Sequence, residues 1–333
     1  MPGTLETRAA EPSPGPHSPL APGQPYPHPL LLYGLLTVMV LLWAGNYVVA
    51  KAGFHEVDGL TIGVLRVLIA AIFLVPIHAA YRWRHPLRRP LRWRDFAMFG
   101  CLGLFVGLNQ LLFIYGLSYT TVEHSALIIA IGPVIILLLA ALAGLERLTI
   151  SKLAGVALAF AGVTLLAAGR GFAASNPTLR GDLLTLGGST AFSFYAVIGK
   201  HVTRRYDTMT LNSWSYFLGA LLLTPLAFHQ MAHTDWSRVG WIGWGSLFYI
   251  GLGPSLIGYL IWFWALRHLA ASRMGVITYV QPVLGSVIGV YLLHEALTGH
   301  ILLSGILVLA GVALVERHTR GTEAEDESGE APS

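Results

Sequence analysis

Charged residues are scarce in this sequence, at 11% of its 333 positions, whereas soluble domains carry about 25%. So few charges cannot cover a water-facing surface, which excludes an ordinary soluble globular protein. Cysteine is nearly absent as well: Cys101 stands alone, which excludes an intramolecular disulfide and a metal site built from cysteines. The sequence also lacks an HExxH motif, a nucleotide-binding glycine loop and a nucleophile elbow, and its 13 histidines show no metal-ligand spacing. No enzymatic activity, cofactor or metal is therefore predicted.

Long apolar runs are what the sequence has in abundance. Hydrophobic residues make up 54% of the chain, and runs of about 17–25 apolar residues suffice to cross a bilayer as a helix. A membrane β-barrel would instead show short alternating segments. We therefore predict an all-α polytopic membrane protein with ten transmembrane helices, at 30–50, 58–79, 96–117, 122–143, 152–169, 182–201, 209–229, 241–264, 272–293 and 299–315.

The distribution of basic residues predicts which way the loops face. With a cytoplasmic N-terminus, 16 of the 21 Lys and Arg residues lie on the cytoplasmic side, 4 lie outside, and Arg66 lies within a helix. The positive-inside rule then predicts a multi-pass protein of the cell (inner) membrane with both termini cytoplasmic. The basic residues form no stripe with interleaved aromatics, so no nucleic-acid partner is predicted.

The chain repeats itself at one offset of 149 residues, without a gap. The matching pairs include Lys51 with Lys200, Pro133-Val134 with Pro282-Val283, Glu146 with Glu295, and Ala161-Gly162-Val163 with Ala310-Gly311-Val312. Each unit holds five predicted helices, an odd number, so the two units must enter the membrane in opposite directions. Inverted repeats of this kind are typical of secondary transporters, which place the substrate path at the repeat interface.

A series of short motifs runs through both copies in the same order. The first copy contains Trp43-Ala44-Gly45-Asn46, Lys51, Arg66, Gly116-Leu117-Ser118-Tyr119-Thr120, Pro133 and Glu146-Arg147-Leu148-Thr149; the second contains Ala265-Leu266-Arg267, Pro282-Val283, Glu295-Ala296-Leu297-Thr298 and Gly311-Val312. Over about residues 30–316 this series resembles the EamA repeat of the drug/metabolite transporter (DMT) superfamily. The resemblance implies a basket of helices around a central cavity and transport of small organic metabolites, frequently the export of amino acids. The copies have diverged, with Tyr195 in place of Asn46 and Ser215 in place of Arg66, so the cavity lining is expected to be asymmetric.

The predicted organisation is a disordered cytoplasmic tail at 1–29, a first repeat at 30–169, an external linker at 170–181, a second repeat at 182–316, and a disordered acidic tail at 317–333. The predicted function is that of a secondary transporter or facilitator, working as an exporter by alternating access. Amino acids are the first candidates for its small-molecule substrate, and the protein acts in the lipid bilayer as a monomer or homodimer. The alternatives are a multidrug or uptake transporter on the same scaffold, and a membrane-embedded transferase.

Polar and aromatic side chains inside the predicted helices are the candidates for lining the cavity, since a buried polar group in a membrane needs a partner. They are Trp43, Asn46, Arg66, Asn109, Gln110, Tyr195, Tyr259, Trp262, Tyr279 and Gln281. Asn46 either faces the substrate or bonds to a neighbouring helix. Arg66 either binds a substrate carboxylate or forms a structural ion pair or carbonyl cap. Successive residues do not share a helix face, so one amide of Asn109 and Gln110 is expected to point inward.

Glu123 and His124 begin the fourth predicted helix and are candidates for proton coupling. Histidine changes its charge near neutral pH, which suits a group that binds and releases a proton during transport. The alternative is that both side chains are solvated at the outer membrane boundary.

Two repeated pairs are predicted to shape the helices themselves. Pro133 and Pro282 are expected to kink or loosen helices four and nine, which would give flexibility for gating. Glu146 and Glu295 lie in short turns and are expected to cap the helix that follows each of them.

Overall fold

A computed structural model describes residues 27–87, 90–142, 149–168, 177–203, 205–268, 284, 291, 298–311 and 313–314. This part of the chain is helical and contains no β-strand, as the composition predicts. Its helices are α1 Pro29–Gly53, α2 Gly59–Arg84, α3 Trp93–Leu117, α4 Val122–Ile129, α5 Gly132–Leu142, α6 Ile150–Ala168, α7 Pro177–Val202, α8 Thr208–His233, α9 Trp241–Ile250, a π-helical segment Gly251–Ile257, α10 Gly258–Leu266, and α11 Gly299–Gly311.

Most predicted spans correspond to one of these helices, and two are interrupted. The fourth span is divided into α4, which ends at Ile129, and α5, which begins at Gly132. Pro133, in the first turn of α5, has no N–H for a helical hydrogen bond. The eighth span runs through α9, the π-helical segment and α10. The ninth, at 272–293, lies outside the described residues except for Leu284 and Tyr291. The count of ten spans therefore remains a prediction.

Within the described residues, five helices are long and apolar enough to cross a membrane: Pro29–Gly53, Gly59–Arg84, Trp93–Leu117, Thr208–His233 and Trp241–Leu266. Their outer faces carry large exposed apolar side chains, among them Ile72, Leu221 and Leu226. A soluble monomer rarely exposes continuous apolar surface of this extent. The chain is therefore a multi-pass helical membrane protein whose outer surface faces lipid.

Helix α3 occupies the centre of the bundle and packs against α2, α7 and α8. It crosses α8 at Gly103 and Gly219, and α7 at Gly116 and Gly181. A methyl group on Gly103 would lie 2.7 Å from the backbone oxygen of Ser215, and one on Gly181 would lie 2.7 Å from that of Gly116. Backbones that approach so closely need small residues at the crossing. These glycines hold α3 of the first half against helices of the second half.

Two helices begin with the same cap. Asp58 precedes α2 and accepts a hydrogen bond from the backbone N–H of Thr61 at 2.9 Å. Asp207 precedes α8 and accepts one from the N–H of Thr210, also at 2.9 Å. Aspartate satisfies the free N–H groups of a helix start and favours its positive end. Asp58 and Asp207 are 149 positions apart, and so are Thr61 and Thr210. The repeat therefore extends to the local structure of these helix starts.

Candidate functional site

A chain of buried polar side chains links α2, α3, α8 and the π-helical segment inside the bundle. Arg66 Nε donates to Ser255 Oγ at 2.9 Å, and the Ser255 hydroxyl lies 3.3 Å from Gln110 Oε1. Gln110 Nε2 donates to the hydroxyl of Tyr216 at 2.6 Å. All four residues are at most 2% exposed. The one hydrogen bond shown for the buried guanidinium is thus made to a neutral hydroxyl oxygen.

The π-helical segment explains why Ser255 reaches this chain. The segment contains Pro254, whose missing N–H breaks the regular ladder, and the Ser255 hydroxyl lies 2.7 Å from the carbonyl oxygen of Ile250. The carbonyl of Pro254 accepts a hydrogen bond from Trp43 Nε1 at 3.1 Å. π-Bulges often occur at functional sites. Sequence reasoning missed Ser255, although the Gly253-Pro254 interruption of an apolar span was an available signal.

Asn109 and Gln110 are both directed into the bundle, so the prediction that one of them points inward is wrong. Asn109 Nδ2 donates to the carbonyl of Gly188 on α7 at 3.0 Å, and Asn109 Oδ1 accepts from the hydroxyl of Tyr259. Gln110 bonds on the other side, to Tyr216 on α8. Because α3 is packed between α7 and α8, two adjacent faces of this helix are interior.

Four aromatic rings pack beside the polar chain and form an aromatic cluster of Trp43, Phe192, Tyr259 and Trp262. The ring of Trp43 lies 5.7 Å from that of Tyr259 and 5.6 Å from that of Trp262, between centroids. Phe192 lies 5.3 Å from Trp262. Trp43 and Phe192 remain partly accessible, so the cluster is not completely sealed. Sequence reasoning missed Phe192, which stands 149 residues after Trp43.

Residues related by the repeat offset converge on this region. Trp43 and Phe192 lie 6.3 Å apart, between ring centroids. Gln110 of the polar chain and Tyr259 of the aromatic cluster are also 149 positions apart, and each makes a buried hydrogen bond. Tyr195, the equivalent of Asn46, packs 5.9 Å from Tyr259 and donates to Asn212 on α8 at 3.3 Å. The most polar part of the interior is thus shared by the two halves.

Three buried polar atoms of this region have no hydrogen-bond partner within the described part of the chain. They are Arg66 Nη1, Asn46 Oδ1 and Trp262 Nε1. Buried polar groups are nearly always paired, and an unpaired charged donor is the costliest exception. Two N–H donors and one amide oxygen in the interior are thus left without a partner among the described residues.

A second polar cluster lies between α4, α7 and the end of α1. His124 Nδ1 is 2.9 Å from Asp182 Oδ2, and the other carboxylate oxygen accepts from the hydroxyl of Thr120 at 2.6 Å. Lys51 Nζ donates to the backbone oxygen of Thr120 at 2.6 Å. Asp182 was not among the predicted residues. The side chain of Glu123 lies outside the described part of the structure.

The two ends of the bundle differ. At the end where α2 begins, a cavity of about 360 Å³ is lined by Asp58, Gly59, Leu60, Tyr115, Ser118, Tyr119 and Gln230. At the opposite end, Arg82 binds both the Asp207 carboxylate and the Thr210 hydroxyl. Burial raises the pKa of Asp207, but the hydrogen bonds from Thr210 and the charge of Arg82 outweigh it, so the pKa lies below the usual range. Asp207 is therefore ionised at neutral pH and keeps α2 and α8 together at this end.

Several predicted residues cannot be placed. Tyr279, Gln281, Pro282, Glu146 and Glu295 lie outside the described residues. Pro133 is described and lies in the first turn of α5, directly after the interruption between α4 and α5.

Comparison with known proteins agrees with this architecture. The family described as "EamA-like transporter family" matches residues 30–168 and 179–317. An "Uncharacterized transporter" of Archaeoglobus fulgidus is 28% identical over 287 residues, which covers 84% of this chain and 95% of that protein. A solved crystal structure superimposes with a TM-score of 0.61 at 22% identity, covering 88% of this chain and 99% of the other. It shares the fold.

Two further relatives have more specific names. A "Probable terminal-alkyne amino-acid exporter" of Streptantibioticus cattleyicolor is 27% identical over 292 residues, 87% of this chain and 95% of that protein. A "Probable amino-acid metabolite efflux pump" of Escherichia coli is 27% identical over 296 residues, 84% of this chain and 92% of that protein. These relatives are named as carriers and not as enzymes, which disfavours the transferase alternative.

Proposed function

Because the chain belongs to the EamA-like transporter family, within the drug/metabolite transporter superfamily, we propose that it is a secondary transporter or facilitator that exports small amino acids or their relatives. The substrate crosses the cell membrane by alternating access between two inverted five-helix repeats. Family membership supports transport of a small molecule; the interior of the bundle supports the choice of substrate.

The observation that carries this choice is the buried guanidinium of Arg66. Its Nε is bonded to Ser255, while its Nη1 has no partner among the described residues. A desolvated cation without a counter-ion is unfavourable in a membrane interior. A carboxylate is the group that best matches a guanidinium, through short charge-assisted hydrogen bonds. In this proposal the substrate's carboxylate supplies the missing partner.

The neighbours of Arg66 suit the rest of an amino acid. Tyr259 and Asn109 offer hydroxyl and amide oxygens to an ammonium group, and aromatic faces also attract cations. The aromatic cluster offers Trp43, Phe192 and Trp262 to an apolar side chain. The names of the Streptantibioticus and Escherichia relatives point in the same direction.

Two features support alternating access. Repeat-related residues such as Trp43 and Phe192 meet at the proposed site, where inverted-repeat transporters bind their substrates. One end of the bundle contains a cavity, and the other is joined by Arg82 and Asp207. The positive-inside rule makes the cavity end external. In this proposal the structure corresponds to a state open to the outside and closed to the cytoplasm.

Counterflow in proteoliposomes tests the proposal. The purified protein is given labelled amino acids alongside the corresponding amides, which lack the carboxylate. We expect exchange of amino acids and weak exchange of amides. Arg66→Gln should raise the half-saturation concentration for the acids by roughly 10–100-fold, the equivalent of losing a charge-assisted hydrogen bond of about 1.5–3 kcal/mol, and should hardly change that for the amides.

Two variants control this experiment. Arg66→Lys keeps the charge but cannot form the planar fork, so it should recover only part of the affinity. Arg238→Gln removes an exposed arginine that pairs locally with Asp235, and it should behave as the parent does. An Arg66→Gln effect that is equal for acids and amides would refute carboxylate recognition, and no exchange of any amino acid would refute the proposed substrate class.

A further inference from the structure

The second polar cluster contains a buried acid and a buried base in direct contact. The side chains of His124 and Asp182 are 2% and 6% exposed, and Nδ1 of the imidazole lies 2.9 Å from the carboxylate. Thr120 bonds to the second carboxylate oxygen. The predicted alternative, in which His124 is solvated at the membrane boundary, is contradicted by this burial. Buried pairs of this type contribute little net stability, since desolvation offsets their attraction.

The helices that carry the pair also carry the proposed substrate site. Asp182 lies on α7, which provides Phe192 to the aromatic cluster and the Gly188 carbonyl to Asn109. His124 lies on α4, which is interrupted before Pro133 and packs against α7. A change in the contact between α4 and α7 would therefore act on the substrate site through a single helix.

We infer that His124 and Asp182 form a proton-binding site that couples substrate export to proton entry. When the pair holds the proton, the His124 imidazolium donates its Nδ1–H to the Asp182 carboxylate. When the proton has been released to water, the His124 imidazole is neutral. Asp182 then keeps its hydrogen bond from Thr120. One proton is carried per cycle in the direction opposite to the substrate. This inference rests on the proposed function and adds the driving force to it.

Basic residues from α1 and α7 contact the loop that precedes α4. From α1, Lys51 reaches the Thr120 carbonyl at 2.6 Å. On α7, Arg180 lies over the Tyr119 ring at 4.6 Å and bonds to the Tyr115 hydroxyl of α3 at 3.2 Å.

Two further ionisable residues lie on α4 and on α6, which packs against α4. Glu123 is adjacent to His124 on α4 and is the nearest acid in sequence. Lys152 lies in the first turn of α6, which packs against α4, at the end of the bundle where α5 finishes.

The first test is accumulation in proteoliposomes under a pH gradient, with counterflow measured in parallel. A pH difference of about one unit should drive up to about a tenfold substrate gradient in the parent protein, if one proton exchanges for one substrate. His124→Gln and Asp182→Asn should exchange substrate in counterflow but accumulate none. His201→Gln is the matched control, since it removes an exposed histidine at the other end of α7, and it should accumulate as the parent does.

The outcomes separate this inference from the proposed function. Counterflow without gradient-driven accumulation in the parent overturns proton coupling and leaves a facilitator. Accumulation by both variants at the parent's level also overturns it. Absence of counterflow in the parent counts against the proposed function itself.

A second test, by NMR, does not require a transport assay. In protein labelled with ¹⁵N-histidine, the imidazole signal that disappears in His124→Gln is assigned to His124. The Asp182→Glu variant keeps a carboxylate beside His124 and provides a second reference spectrum. We expect this signal to differ between the substrate-free and the substrate-bound protein, because the proposed exchange of a proton for substrate changes the protonation of the imidazole. A signal that is the same in both would show a fixed structural pair and overturn the inference.

Discussion

The substitution Gly103→Ala tests whether backbone contact between α3 and α8 holds the two halves together. A methyl group on Gly103 would lie 2.7 Å from both the Gly219 nitrogen and the Ser215 oxygen, whereas ordinary contact begins at 3.4 Å. The helices would have to separate by about 0.7 Å, because backbone atoms cannot rotate away as a side chain can. Overpacking of this kind costs about 1–3 kcal/mol.

Gly100→Ala provides the control for that prediction. Gly100 lies one turn earlier on α3, and a methyl group there meets nothing within 4 Å. The same chemical change at Gly100 should leave stability unchanged or raise it slightly, because alanine favours a helix over glycine by about 1 kcal/mol.

Thermal unfolding in detergent, followed by the fraction of protein that remains monodisperse, measures both variants. With about 2–4 °C per kcal/mol for a chain of a few hundred residues, Gly103→Ala should lower the apparent Tm by roughly 2–12 °C. Counterflow should also slow, because α3 contacts the proposed substrate site through Asn109 and Gln110. If Gly103→Ala and Gly100→Ala have the same Tm, the crossing is not a tight constraint and the reasoning is refuted.

Three further predictions concern the ends of the bundle and the interruption in the fourth span. Asp207→Asn should lower the Tm at neutral pH. Since the pKa of Asp207 is depressed in the folded protein, the parent's advantage over this variant should be constant above about pH 5 and shrink only as the pH falls through the acidic range; a loss of this advantage between pH 6 and 8 would contradict the assignment. Glu56 accepts hydrogen bonds from the N–H groups of Gly240 and Gly243 at 2.7 and 3.0 Å at the start of α9, so Glu56→Gln should reduce the free energy of unfolding by about 0.5–2 kcal/mol in denaturant titrations, and an unchanged midpoint would argue against the cap. Pro133→Ala should slow exchange without changing the half-saturation concentration, by allowing α4 and α5 to join; rates equal to the parent's would remove Pro133 from gating.

Sequence reasoning was most successful where structure depends on near neighbours. The apolar runs predicted the positions of α1, α2, α3 and α8 closely, because a membrane helix must satisfy its own backbone and is bounded by the bilayer. The repeat predicted two homologous halves, and the family match at 30–168 and 179–317 confirms two EamA units. Inverted orientation and the tails remain predictions.

The candidate site was predicted only in part. Trp43, Arg66, Asn109, Gln110, Tyr259 and Trp262 are polar or aromatic residues within apolar spans, and the structure brings them together. Ser255, Phe192, Tyr216 and Asp182 were missed. Serine and phenylalanine are common in membrane helices, so their residue type carries no signal until the partner is known.

By itself, the sequence determined that this protein lies in a membrane as helices, in two related halves, because hydropathy and helix caps act over a few residues and need no distant contact. Only the tertiary structure decided which polar groups meet. Arg66 and Ser255 are 189 positions apart, and His124 and Asp182 are 58 apart. Which of them face each other depends on how α2, α3, α4 and α7 are rotated and packed, and the glycine crossings and the π-helical segment set that rotation. A polar residue in a span is therefore visible in the sequence. Whether it has a hydrogen-bond partner, and which residue that partner is, depends on how the helices pack.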